Sequence, residues 1–339
     1  MLGVARIIAQ FAKIEIRVID MSELLKPGSL IDIPGVKVGH SSDLDNCTGC
    51  TVVLLPDGSI SGVDVRGGAP GSRETDLLRP MGHVPGANAF VLSGGSAFGL
   101  DVAQGVVQFL RDNDIGYQTS DMKIPIVPAA ILYDLGIGEP IAPTQTDGYE
   151  AAKIASSESF AVGSVGAGTG ATVAKLLGPQ HRLKGGLGTA SIRVDRSTEE
   201  DLFVAALAVT NAMGAIYDFE SGETLASPGG AGKDLSELVE ALASDKIPRK
   251  EGSSDSNTTL VIVGTNAQLD SVAVNRLAVS GSSGMARAIW PVHTRGDGDL
   301  VFSFATQEIN CEEETKLAIE GLAAVVTARA ITNSIYAAA

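Results

Sequence analysis

Residues 246–266 read KIPRKEGSSDSNTTLVIVGTN, and the change of character inside this stretch decides how the rest of the chain is read. Up to Asn257 it is charged and Ser-rich with one Pro and one Gly, a composition that cannot bury apolar surface and predicts an exposed, mobile loop. From Thr258 it turns β-branched and apolar: Thr258, Thr259, Leu260, Val261, Ile262 and Val263 carry the signature of a buried strand. A hydroxyl residue therefore stands where a loop runs straight into the core. Two readings are open. Threonine favours strands, and Thr258 can simply begin one. Alternatively the bond after Asn257 is cut, and Thr258 becomes a new N-terminus with both a hydroxyl nucleophile and an α-amine of pKa about 8 to act as its base.

Bulk properties narrow the field. The 339 residues suffice for one large domain or two ordinary ones, and 44% hydrophobic content with a mean hydropathy of +0.20 provides for a large core. Aromatics are scarce at 4% while glycines number 40, which predicts close packing of small residues and many turns. A net charge of −15 argues against a general nucleic-acid or anionic-membrane binder, since both need basic patches. No segment reaches the ~18–20 uninterrupted apolar residues of a membrane span. The N-terminal stretch is interrupted by Arg6, Lys13, Glu15 and Arg17, leaves too short an apolar run for a secretory signal, and reads as a peripheral helix or strand. Cys47 and Cys50 have redox or half-zinc spacing with nothing to complete a site, and read as structural thiols at a strand start. With Cys311 they make no disulfide framework and fit a reducing cytoplasm.

Taken in order, residues 31–40 (IDIPGVKVGH) form a strand and turn, and 51–55 and 60–65 are strands around Pro56-Asp57-Gly58 that are predicted to pair as a hairpin. The following Arg66-Gly67-Gly68-Ala69-Pro70-Gly71 permits close backbone approach, to another strand or to a ligand. Strand 89–92 delivers Ser93-Gly94-Gly95-Ser96-Ala97-Phe98-Gly99 into a helix with Val102, Ala103, Val106, Val107 and Leu110 on one face. This turn resembles a nucleophile elbow, but Phe98 occupies the place of the last glycine, so Ser96 is read as a helix N-cap. Loop 163–175 (GSVGAGTGATVAK) matches a relaxed dinucleotide fingerprint at Gly166, Gly168 and Ala171, with Asp195 about 20 residues on, although no strand–helix–strand series surrounds it. Its Lys175 is either a solvated lysine or a catalytic one. Strands 189–194 and 203–209 follow, the second leading to Asn211, which either forms a turn or donates to an oxyanion. Helices are predicted at 235–243, at 269–289 with Val272, Leu277, Met285 and Ile289, and at 312–336, with a polar turn His293-Thr294-Arg295-Gly296-Asp297-Gly298-Asp299 before strand 300–305. Glycine loops between strands give a layered α/β protein in one domain.

Several of these segments, in this order, resemble one family: Arg66 to Gly71, Leu92 to Leu100, the apolar run 125–134, Val209 to Gly214, Asn257-Thr258-Thr259 and Asp297-Gly298-Asp299. The set is similar to the self-processing P1 peptidase family, which includes the DmpA-type aminopeptidases, the β-peptidyl aminopeptidases and the nylon-oligomer amidohydrolases. It covers 31–339 and leaves 1–30 as an N-terminal extension. The resemblance implies a four-layer αββα sandwich, Ntn-hydrolase-like with DmpA and ornithine-acetyltransferase topology. It also implies a precursor that cuts itself after Asn257 into a long and a short chain. Thr258 then matches the nucleophile, Asn211 the active-site asparagine, Tyr133 the active-site tyrosine, Lys175 a lysine of the nylon-oligomer enzymes, and Asp297 and Asp299 the polar or acidic pair beside the nucleophile. No cofactor or metal is implied; the partners are a small-molecule or peptide amide and identical subunits, as a tetramer or larger.

The implied chemistry starts with an N→O acyl shift of Thr258 on the Asn257 carbonyl, followed by hydrolysis. In turnover, the freed amine takes the hydroxyl proton and Thr258 forms an acyl-enzyme that water resolves. Asn211, alone or with the Tyr133 hydroxyl, stabilises the oxyanion; Asp297 and Asp299 hold the new ammonium or Lys175, and Lys175 keeps the amine deprotonated through like charge. One position departs from the aminopeptidases, which carry a glutamate two residues before the tyrosine. Here it is Ile131, which cannot pair a substrate ammonium, as in the nylon-oligomer branch. Competing readings are an acyltransferase of the ornithine-acetyltransferase type, a nicotinamide-dependent oxidoreductase built on the Gly166 loop, and a non-catalytic scaffold.

Overall fold

The structure is a computed structural model that describes residues 28–195, 200–228, 235–244 and 257–338. Ten principal strands build it: β1 (Lys37–Asp43), β2 (Thr48–Leu54), β3 (Ile60–Val65), β4 (Ser72–Arg73), β5 (Ala89–Ser93), β6 (Ala129–Ile131), β7 (Gly186–Val194), β8 (Leu202–Asn211), β9 (Thr258–Ala267) and β10 (Leu300–Ile309). They form two sheets of five, ordered β1-β2-β5-β6-β4 and β7-β8-β9-β10-β3. Neighbours run antiparallel except β5 with β6 and β9 with β10.

The central strands bury both faces, which is why they read as unbroken apolar runs rather than as an alternation. On β8, Ala205, Leu207 and Val209 join the core between the sheets, while Val204, Ala206 and Ala208 face helices; on β9, Leu260 and Ile262 point inward and Val261 and Val263 outward. Phe90 of the first sheet stacks on Phe302 of the second with ring centroids 4.7 Å apart. Outside the first sheet lie α1 (Val102–Asp112) and α2 (Gln145–Lys153), packed through Val102, Val106, Leu110 and Ala151. α3 (Leu235–Ala243) buries Leu238 beside Leu176 and Ala215. Outside the second sheet lie α4 (Ser271–Ala288) and α5 (Glu313–Tyr336). The result is the four-layer αββα sandwich. Its small residues work as the composition suggests: a Cβ on Gly284 of α4 would come within 2.3 Å of the Ala324 carbonyl on α5, so glycine sets how close the two helices lie.

Several local expectations are corrected. Segments 51–55 and 60–65 are both strands, but they form no hairpin: β2 pairs with β1 and β5, and β3 pairs with β10 in the other sheet. The turn at Gly58, with φ +80°, carries the chain across the sandwich instead of back along β2. Ser96 caps no α-helix. It lies in a 3-10 turn, Ser96–Asp101, whose N-cap is Gly95, and it is the carboxylate of Asp134 that accepts the Gly95 N–H, at 2.7 Å. Loop 163–175 forms a 3-10 turn, Gly166–Gly168, and a short strand, Thr172–Val173, with no helix opening after it. The helix N-terminus that a dinucleotide fingerprint needs is therefore missing there, and the glycines serve packing: a Cβ on Gly166 would meet the Thr51 hydroxyl at 2.3 Å. Of the apolar residues that mark helix 269–289 in the sequence, Val272 is exposed, while Leu277 and Met285 are buried. Residues 1–27 and 245–256, which include most of the proposed extension and of the proposed mobile loop, lie outside the described residues. Leu30, placed in the extension, is fully buried, and its N–H donates to Thr189 Oγ1 at 2.8 Å.

Candidate active site

Strand register assembles the site. Thr258 is the first residue of β9 and stands directly opposite Asn211, the last residue of β8. By the period of two, Thr258 shares a face with Leu260 and Ile262, and Asn211 shares one with Leu207 and Val209, so both side chains point between the sheets at one end of the sandwich. Both are buried, Thr258 at 5% exposure and Asn211 at 0%. Just ahead, Asn257 bridges to Asp297 in the segment that enters β10.

The Asn257 carbonyl that precedes Thr258 is held from two directions. The Asn257 oxygen accepts the Gly298 N–H at 2.8 Å and the Thr258 hydroxyl at 2.6 Å. Gly298 must be glycine for this approach, because a Cβ there would lie 2.6 Å from Thr258 Oγ1.

The Asn211 carboxamide is fixed in orientation. Its Oδ1 accepts the Thr172 N–H at 3.0 Å and the Lys175 ammonium at 2.9 Å, and its Nδ2 donates to the Tyr133 carbonyl at 3.4 Å. The amide NH2 end is thus assigned by its partners. Lys175 Nζ also donates to the Asn211 carbonyl at 3.0 Å. Ala174, immediately before it, takes the left-handed conformation at φ +61°, uncommon for a residue with a Cβ. Burial lowers the Lys175 pKa to about 7, with the Asp297 charge opposing and Arg182 assisting. Tyr133 reaches the site through its main chain.

The two acids part company. Asp297 Oδ2 accepts the Thr294 N–H at 2.7 Å, and burial, followed by the Asp299 charge, raises its pKa to about 6. Asp297 and Lys175 can therefore each exchange a proton near neutrality. Asp299 is spent elsewhere: Oδ1 accepts the Thr259 N–H at 2.7 Å, and Oδ2 accepts both the main-chain N–H and Nδ1 of His293, at 2.9 and 3.0 Å. The acidic loop lies against the glycine segment after β3. Gly67 N donates to the Asp299 carbonyl, Gly68 N to Thr294 and Ala69 N to Asp297, and a Cβ on Gly67 would come within 2.3 Å of this loop. The close approach anticipated for Gly67 and Gly68 is thus to the chain itself.

Sequence reasoning placed Thr258, Asn211, Lys175, Tyr133, Asp297 and Asp299 together, and the structure gathers them at one end of the sandwich. It missed Gly298, Thr172 and His293. The glycine between two acids was the available signal for the first; the other two carried none. Among the described residues, no group of three or more His, Cys, Asp or Glu side chains is arranged to hold a metal, and no helix is long and apolar enough to cross a membrane.

An αββα sandwich with a hydroxyl at the mouth of a central strand, set among a carboxamide, an amine and carboxylates, has the frame of an Ntn-type hydrolase. The model of Peptidase family S58 matches residues 28–339. The chain belongs to this family and is a hydrolase of peptide or other amide bonds. An uncharacterized aminopeptidase of Mycobacterium leprae is 38% identical over 82% of this chain and 78% of its own length. A 6-aminohexanoate-oligomer endohydrolase of Kocuria sp. is 30% identical over 82% of this chain and 75% of its own. Among solved structures, the L-aminopeptidase D-Ala-esterase/amidase of Ochrobactrum anthropi, described as a variant among the Ntn hydrolase fold, superposes with a TM-score of 0.69 at 20% identity, covering 93% of this chain and 87% of that one.

Proposed function

We propose that the chain is a self-cleaving N-terminal-threonine amidohydrolase, cut between Asn257 and Thr258, with Thr258 as nucleophile. The observation that carries this reading is the Asn257 carbonyl, held by the Gly298 N–H with the Thr258 hydroxyl 2.6 Å from its oxygen. Attack of Oγ1 on the carbonyl carbon puts negative charge on an oxygen that already has a donor. Collapse breaks the C–N bond and leaves an ester on Oγ1 and a free α-amine; water then releases the Asn257 carboxylate. Before the cut, the nitrogen of Thr258 is an amide and cannot serve as base. Lys175, with its lowered pKa, is the group suited to take the hydroxyl proton at that stage. After the cut, the α-amine takes the role, and Asn211 donates to the oxyanion of the substrate.

Ile131 bears on specificity. It is buried with its Cδ1 packed close to Gly71, so this position offers no carboxylate to a substrate ammonium and suits amides with or without a free amine. The same reading includes a homo-oligomer of four or more copies, and a reducing cytoplasm in keeping with three cysteines joined in no disulfide.

Intact mass under denaturing conditions tests the proposal. Wild type should give two fragments, the smaller beginning at Thr258, and Thr258→Ala a single chain without amidase activity. An uncut wild-type chain that is folded and inactive on amides sinks the reading.

A further inference from the structure

We propose that His293 works as an imidazolium that neutralises Asp299, and so sets the proton affinity of the groups that activate Thr258; this rests on the amidohydrolase reading above. His293 is a positioning residue here, acting through Asp299.

The hydrogen bonds argue for the charge. Asp299 Oδ2 faces Nδ1 at 3.0 Å while also accepting the His293 main-chain N–H, and Asp299 Oδ1 accepts the Thr259 N–H. A carboxylate gathering N–H donors is an acceptor, so Nδ1 donates. On the far side of the ring, Nε2 faces the Ser282 carbonyl of α4 at 3.3 Å, which can only accept. A neutral imidazole has one N–H and cannot serve two acceptors; the imidazolium serves both.

The backbone supports the same assignment. His293 sits at φ +56°, a left-handed conformation in which histidine is one of the better tolerated residues with a side chain. This conformation brings its own N–H and its ring to the same carboxylate oxygen. The charged groups around the ring are Asp299, then Arg66, bound through Nε to Asp64 Oδ2 at 2.6 Å, then that same Asp64, which accepts the Ser282 hydroxyl at 2.6 Å, and Asp297 next to Asp299. Two cations, His293 and Arg66, stand against three carboxylates. Burial alone lowers the imidazole pKa and Arg66 adds to that, but the hydrogen bond and charge of Asp299, with the Ser282 carbonyl, outweigh them and the pKa is raised.

The sign of the effect follows from charge. With a neutral side chain at 293, Asp299 is uncompensated and the acidic loop is more negative. A more negative surrounding favours the protonated forms of Lys175 and of the Thr258 amine, and both must be neutral to accept a proton. The acid limb of the kcat/KM profile then moves to higher pH. A purely structural defect would lower the rate without moving this limb.

The test uses purified protein labelled with 15N-histidine. The chain has four histidines, and His293→Asn, which tolerates the left-handed backbone and cannot carry charge, assigns the ring; His293→Gln serves if that variant is unstable. At pH 7.5, where an unperturbed histidine is mostly neutral, the ring of His293 should show two protonated nitrogens, and a neutral tautomer there overturns the proposal. In the variant, the acid limb should shift upward by about half a pH unit or more; an unmoved limb overturns the charge-setting role even if the ring is cationic. Absence of self-cleavage and of amidase activity in wild type would sink the amidohydrolase reading, while the ring spectrum would still decide the state of His293.

Discussion

The two sheets share one plan, five strands with a single parallel pair, and differ in what they hold. In the second sheet, β8, β9 and β10 are ten residues long. It carries Thr258 and Asn211 at paired positions, with both acids on the lead into β10. The first sheet has strands of two to seven residues and contributes Tyr133, two residues beyond β6. Its segment is anchored next door, where Asp134 accepts the Thr48 hydroxyl at 2.8 Å and the Gly95 N–H at 2.7 Å. Under the proposed mechanism Thr258 and Asn211 therefore ride on a long, doubly buried ladder, whereas the opposite wall is built from loops between short strands. That mechanism assigns bond-making geometry to the rigid side, and what is bound to the other.

Substitutions on the two sides should separate accordingly. Lys175→Met, which removes the amine held on the Asn211 carboxamide of the rigid side, should slow self-cleavage most, by about 10²–10⁴-fold, as expected for loss of a proton acceptor. In the parent chain the cleavage rate should climb as pH rises through about 7, where Lys175 loses its proton; cell-free synthesis followed by denaturing electrophoresis at a series of pH values measures both. Gly298→Ala forces a methyl toward the Thr258 hydroxyl, and a displacement of that order should cost about 10²-fold in the same assay. Asp134→Ala, on the loop-built wall, should leave self-cleavage within about 10-fold of the parent. It strips partners from the Gly95 N–H and the Thr48 hydroxyl, at about 1–3 kcal/mol for each buried group, read as a lowered Tm together with a raised KM for amides. If Asp134→Ala blocks self-cleavage as strongly as Gly298→Ala, the division between the two sheets is wrong.

Much of this was legible in the chain. The switch at Thr258 marks β9 to the residue, 235–243 is α3 as read, and the last helix differs by one residue at its start, because strand and helix periodicities are local. Partner choice is not local, which is why β3 was assigned to β2 when it belongs to β10. The pairing of Asn211 with Thr258 joins strands far apart in sequence, so spacing alone left Asn211 between a turn former and an oxyanion donor; the family resemblance supplied the link. His293 stayed hidden because its role depends on a left-handed backbone that folds it onto Asp299, and nothing in a polar turn shows which residue will do so.

β9 and β10 lie in the middle of their sheet, between β8 and β3. A cut ahead of Thr258 would leave β3, β7 and β8 on one polypeptide and β9 and β10 on the other, so neither piece could complete the sheet alone. Assembly would therefore have to precede scission, and the mature molecule would keep the memory of a connection it no longer has. Once melted, two separate chains would have to meet again by diffusion, so the cut protein would be protected by its barrier to unfolding and not by a reversible equilibrium.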